Sequence, residues 1–160
     1  MRVLIVDDEG SVLLTLAANL ELEGFEVTQA PSGARALEAL QMETFDLLLT
    51  DIRMPGMSGV ELFRRARALR PGMPVVLMTA YAVEGLVDEA LSEGAFAVLP
   101  KPFAMDHVVA TLLSAARRPV VLIVDEEQAE ATAAALRDSG VGARAAADED
   151  SAVAAVRDGA

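Results

Sequence analysis

The strongest constraint on this chain is an alternation. Short, nearly unbroken apolar runs are separated by stretches whose apolar positions recur at helical spacing. Arg2–Val6, Glu26–Ala30, Asp46–Thr50, Val75–Met78 and Phe96–Leu99 read as strands. Between them, Leu13, Leu16 and Leu20 mark a helix stopped by Gly24, and Ser32 caps a helix carrying Ala36, Leu37 and Leu40. A helix from about Gly59 to Leu69 is ended by Pro71, and Leu86 and Ala90 mark one stopped by Gly94. Met105, Val108, Val109 and Leu112 form a last helix face, which ends at Arg117–Arg118. Strands apolar on both faces and separated by helices imply an α/β fold: a five-stranded parallel sheet, doubly wound, with helices covering both sides.

In such sheets, sites lie at the carboxyl ends of the strands. Here those ends read Asp7-Asp8-Glu9, Thr50-Asp51, Thr79-Ala80 and Lys101-Pro102. If strands one, three, four and five are neighbours, Asp7, Asp8, Asp51, Thr79 and Lys101 converge on one cleft. Three carboxylates there repel one another unless a divalent cation sits among them. The ligands are all oxygen, with no cysteine and no convincing histidine, so Mg²⁺ or a similar hard ion fits best. A metal held by few carboxylates keeps positions open for phosphate oxygens. Asp51 can then attack a phosphoryl group to form an acyl phosphate, with Lys101 and the metal offsetting charge and Thr79 donating a hydroxyl. Each residue alone is an ordinary helix cap or strand end; the set, at separate places, is not.

Composition narrows the classes. At 160 residues the chain suits one α/β domain plus a remnant, and 53% hydrophobic content supports a sizeable core. Net charge is −12, which sets the chain against a nucleic-acid backbone. The nearest basic patch, Arg64, Arg65, Arg67 and Arg70, reads first as a solvated helix face and second as a docking surface for an acidic partner. No apolar run reaches the roughly 18 residues of a membrane span, and MRVLIVDDE reads as a first strand and not a signal peptide, so a cytoplasmic location without membrane contact is expected. With no cysteine there are no disulfides, thiolate metal sites or Cys nucleophile. His107, the one histidine, reads as a polar position on the last helix.

The segments VLIVDDE, LLLTDIRMPGMSGVEL, VVLMTAYA and GAFAVLPKPF resemble the receiver domains of bacterial two-component response regulators, most of all the nitrogen-regulatory type. The likeness covers residues 1 to about 118. It implies a flavodoxin-like sheet in the order 2-1-3-4-5 and phosphorylation of Asp51 by the phosphohistidine of a sensor kinase or phosphotransfer protein. It implies that Asp8 and Asp51 ligate Mg²⁺ directly, Asp7 mainly through water, and that the backbone carbonyl of Arg53 completes the protein ligands. Thr79 becomes the switch hydroxyl and Lys101 the family's lysine, with a cis Lys101–Pro102 bond. Ala80 leaves room for the donor, Pro55 and Gly59 match the turn over the site, and Arg53 and Tyr81 stand where the family tunes phosphate lifetime.

One departure is clear. The family's aromatic position, three residues before the lysine, is Val98, and Phe96 is expected on the same sheet face by alternation. Phosphorylation is expected to draw Thr79 toward the phosphate and repack the face of the fourth helix, fifth strand and fifth helix, which then binds an output partner or a second copy. Such a domain catalyses only its own phosphorylation and dephosphorylation. Two alternatives stay open. One is an interaction scaffold that needs no phosphorylation. The other is a Mg²⁺-dependent aspartyl phosphatase, against which stand Arg53, where a second acid is needed, and the absence of an insertion long enough for a cap.

After Arg118-Pro119 the pattern starts again. Val121–Glu127 repeats Val3–Glu9, a helix carries Ala133 and Leu136 with a stop at Gly140, Ala143–Ala147 resembles a second strand, and Ser151–Arg157 a second helix. Residues 119–160 thus resemble the first part of another receiver without counterparts of Asp51, Thr79 or Lys101. Either the chain is a fragment of a longer tandem protein or this segment packs on a partner.

Overall fold

The computed structural model describes residues 1–80, 84–117, 121–124, 128–138, 143–146 and 148. The chain divides into two compact units, Met1–Arg117 and Arg118–Ala160. Tyr81 and Asp125–Glu127, Gly140 and Ser151–Arg157 of the repeat lie outside the described residues.

The first unit runs β1 (Arg2–Val6), α1 (Gly10–Leu22), β2 (Glu26–Ala30), α2 (Gly33–Met42), β3 (Leu47–Asp51), α3 (Gly59–Leu69), β4 (Val75–Thr79), α4 (Glu84–Ser92), β5 (Ala97–Pro100) and α5 (Met105–Ala116). All five strands are parallel, in the order β2-β1-β3-β4-β5. This is the expected doubly wound sheet; β1 and β2 have the expected bounds, and the ends of β3, β4 and β5 differ by a residue. Asp46 immediately precedes β3, its carboxylate accepting the Arg2 N–H (2.6 Å) and its own N–H donating to the Arg2 carbonyl (2.9 Å).

Strand alternation divides the core. Val3, Ile5, Leu47, Leu49, Val76, Met78 and Leu99 pack with α1 and α5, while Leu4, Val6, Leu48 and Leu77 pack with α2 and α3. Phe96 corrects an expectation. It packs with the α1/α5 cluster and Val98 with the opposite one, because regular alternation begins only at Ala97 and Phe96 lies in the bend before it.

Ser32 caps α2 as expected, its Oγ accepting the Arg35 N–H (3.3 Å). Ser32→Ala should cost about 1 kcal/mol, visible as a fall of a few degrees in thermal melting. Ser58 caps α3 in the same way, through the Glu61 N–H (3.2 Å). The four arginines of this region are exposed to varying degrees but engaged. Arg65 pairs with Glu61 (2.5 Å), and Arg70 Nη2 donates to the Leu40 carbonyl (3.0 Å) at the end of α2.

In the second unit, β6 (Val121–Val124) and β7 (Ala143–Ala146) pair in parallel, Val121 opposite Ala143, with α6 (Ala129–Asp138) between them in sequence.

Candidate functional site

The parallel registers place the chemistry in one row. Val6 lies opposite Thr50, Asp51 opposite Met78, and Thr79 opposite Pro100. Asp7, Asp51, Thr79 and Lys101 therefore stand together at the carboxyl edge, although almost a hundred residues separate the first from the last. Alternation continues into the site. Asp7 follows Val3 and Ile5, Asp51 follows Leu47 and Leu49, and Lys101 follows Leu99, all on the α1/α5 side. Thr79 follows Val75 and Leu77 on the other side.

Asp7, Asp51 and Thr79 are buried, Asp7 to 1% exposure and Asp51 to 6%. Lys101 Nζ lies 2.7 Å from Asp7 Oδ2 and 2.7 Å from Asp51 Oδ1, so one ammonium bridges both carboxylates. The remaining oxygens take backbone donors: Asp7 Oδ1 accepts the Glu9 N–H (2.9 Å) and Asp51 Oδ2 the Arg53 N–H (2.6 Å). Burial works to lower the lysine's pKa, but the hydrogen bonds it donates to Asp51 and Asp7 outweigh it and hold the ammonium above its usual range.

Lys101 is positioned by its own backbone: its N–H donates to the Thr79 carbonyl (2.7 Å), and the Lys101–Pro102 bond is cis, as expected. Lys101→Ala would leave two buried carboxylates facing each other. In chelator at pH 7 it should cost about 2 kcal/mol, less than a fully buried pair because the lysine side chain keeps 18% of its exposure. Urea unfolding checks this.

Gly59 is fixed by space. A Cβ there would lie 2.0 Å from the Asp51 carbonyl oxygen, and its N–H donates to the Ile52 carbonyl (2.9 Å). The start of α3 thus rests directly on the end of β3, where no other residue fits. The need for Gly59 was expected only from a family turn; the contact that requires it lies between elements and leaves no local sequence signal.

Asp8, next to Asp7 in the chain, is exposed. Among the described residues no group of three acidic or histidine side chains is gathered as an ion would need; Asp7 and Asp51 converge on Lys101. That is still compatible with Mg²⁺, which commonly binds through one or two carboxylates and keeps several waters. The donors are all oxygen and hard, so the residues fit such an ion. His107 is exposed in the first turn of α5.

The comparisons agree with this geometry. Residues 3–113 match the family model described as response regulator receiver domain. The DNA-binding transcriptional regulator NtrC of Escherichia coli is 43% identical over 106 residues, covering 66% of this chain and 23% of that protein. The crystal structure of a CheY-like response regulator receiver domain protein from Methanospirillum hungatei has a TM-score of 0.70 at 36% identity, covering 72% of this chain and 92% of that one. The response regulator protein TrrA of Thermotoga maritima, in complex with Mg(2+)-BeF, has a TM-score of 0.64 at 31% identity, covering 71% of this chain and 97% of that one. The chain belongs to the response regulator receiver domain family, the receiver class of two-component signal transduction. It spans about a quarter of the length of the curated relatives it matches.

Proposed function

We propose that Asp51 is the phosphoacceptor, taking a phosphoryl group from the phosphohistidine of a sensor histidine kinase or phosphotransfer protein. The observation that carries this reading is the bridge from Lys101 to Asp7 and Asp51 at the carboxyl edge of the sheet. Asp51 Oδ1 attacks phosphorus in line and the histidine nitrogen leaves, giving an acyl phosphate. Lys101 Nζ, already within hydrogen-bond distance of that oxygen, pairs with the added charge. The Arg53 N–H keeps the carboxylate oriented through Oδ2. Asp7, Asp8, Asp51 and the Arg53 carbonyl are the residues that would hold Mg²⁺, which supplies charge neutralisation between carboxylates and phosphoryl oxygens. The Mg(2+)-BeF complex of the similar TrrA supports that choice of ion. Thr79, at the end of β4, donates its hydroxyl to the new phosphoryl group, biasing the α4-β5-α5 face toward an output partner or a second copy.

In this reading the domain catalyses only its own phosphorylation and dephosphorylation and works in the cytoplasm. No helix among the described residues is long and apolar enough to cross a membrane, and the net charge of −12 disfavours direct contact with nucleic acid. Residues 1–118 form the receiver. Residues 119–160 are a partial second receiver-like segment without an acceptor, a reading supported by the repeated VLIV of β6 and its parallel pairing with β7. Incubation with acetyl phosphate and Mg²⁺, followed by intact-mass measurement, tests the proposal. A phosphoryl increment that EDTA abolishes supports it. A folded protein that gains no mass from acetyl phosphate or a phosphohistidine donor overturns it.

A further inference from the structure

Helix α4 is anchored unlike its neighbours. α1 buries Leu13, Leu16, Ala17 and Leu20, and α3 buries Val60, Leu62, Phe63 and Ala66. Over Gly85–Ser92, α4 buries only Ala90, while Leu86 and Leu91 stay 36% and 42% exposed. An alanine removes little apolar surface from water, so burial holds this helix weakly.

Charge supplies the other attachment. Arg64 of α3 grips Glu93, just beyond α4, side-on, Nε to Oε2 at 2.7 Å and Nη2 to Oε1 at 2.6 Å. The same Nη2 reaches Glu89 Oε1 at 2.6 Å. Arg67 Nη1 donates to the Glu93 carbonyl, capping the end of α4. Isolated exposed pairs contribute little, but bidentate geometry and several charges in a network are the conditions under which they matter. Hydrogen bonding to Arg64 also holds the Glu93 carboxyl below its ordinary range.

We infer that Arg64, Glu89 and Glu93 form an ionic latch that sets how readily α4 leaves α3, and that this latch weakens with ionic strength. Because the attachment is partly exposed, added salt screens it, whereas the apolar anchoring of α1 is insensitive to such screening. The latch acts whether or not Asp51 carries a phosphoryl group, so its test does not depend on the phosphoacceptor reading.

Amide hydrogen exchange of the full chain, read by peptide mass, is the measurement. Raising NaCl from about 50 mM to about 0.5 M should speed exchange of peptides covering 84–92 by about two- to fivefold, with α1 peptides unchanged. R64Q should show the faster α4 exchange at low salt and lose the salt response. R65Q, which removes only the pair with Glu61, should match the unsubstituted chain. Unchanged α4 exchange in R64Q, or an intact salt response, overturns the latch. If R64Q speeds exchange in every helix, the reversed pair R64E/E93K decides: recovery of α4 protection relative to R64E supports the latch, and no recovery overturns it.

Discussion

Asp51→Asn is expected to abolish the phosphoryl mass increment completely while leaving the chain folded. The substitution keeps the shape of the side chain, and the carboxamide oxygen can still accept the Arg53 N–H now bound by Oδ2 at 2.6 Å. What disappears is the anionic oxygen that would bond phosphorus, and with it half of the Lys101 bridge. Asp7 remains as partner for the ammonium at 2.7 Å, so the lysine is not stranded and the fold persists. Loss of the increment with an unchanged circular dichroism spectrum is the predicted result. An increment that persists in the asparagine variant would place the acceptor elsewhere.

Gly59→Ala should produce the largest stability loss among conservative changes near the site. The added methyl would sit 2.0 Å from the Asp51 carbonyl oxygen and 2.8 Å from the carbonyl carbon. Both are backbone atoms at the end of a fully buried strand, so no side chain can swing aside to relieve the overlap. Either α3 lifts from β3, breaking the Gly59 N–H bond to Ile52, or β3 shifts and carries Asp51 with it. Overpacking of this kind costs about 3 kcal/mol, a drop of roughly 10 °C in melting temperature for a domain of this size. Acetyl phosphate labelling should also slow, because either movement displaces Asp51 relative to Lys101. Melting within about 2 °C of the unsubstituted chain would show that the contact between α3 and β3 yields more easily than its geometry implies.

The sheet and its carboxyl edge were legible in the sequence because both follow from local pattern. Each strand is a short apolar run, each run ends in a chemically distinct residue, and parallel strands with crossover helices deliver those ends to one edge. Features depending on side chains that meet across elements were not legible. Arg64 and Arg67 read as part of a basic stripe, and only the placement of α4 reveals their partners, Glu89 and Glu93. Phe96 departs from alternation because it lies one residue before the strand, in a bend, where side-chain direction follows packing and not pleat. The unequal burial of the Asp7-Asp8 pair is likewise invisible in its adjacency: Asp7 is buried and Asp8 is exposed.

The parallel register has a consequence for synthesis. Asp51 leaves the ribosome about fifty residues ahead of Lys101, and β5 pairs with β4 at the outer edge of the five-stranded sheet. A nascent chain that has made Asp51 thus lacks the Lys101 counter-charge until β5 and the residue after it are translated and docked, an ordering typical of sheets built from distant segments. A product that ends before β5 therefore carries the two aspartates without the cation that lies between them in the complete sheet.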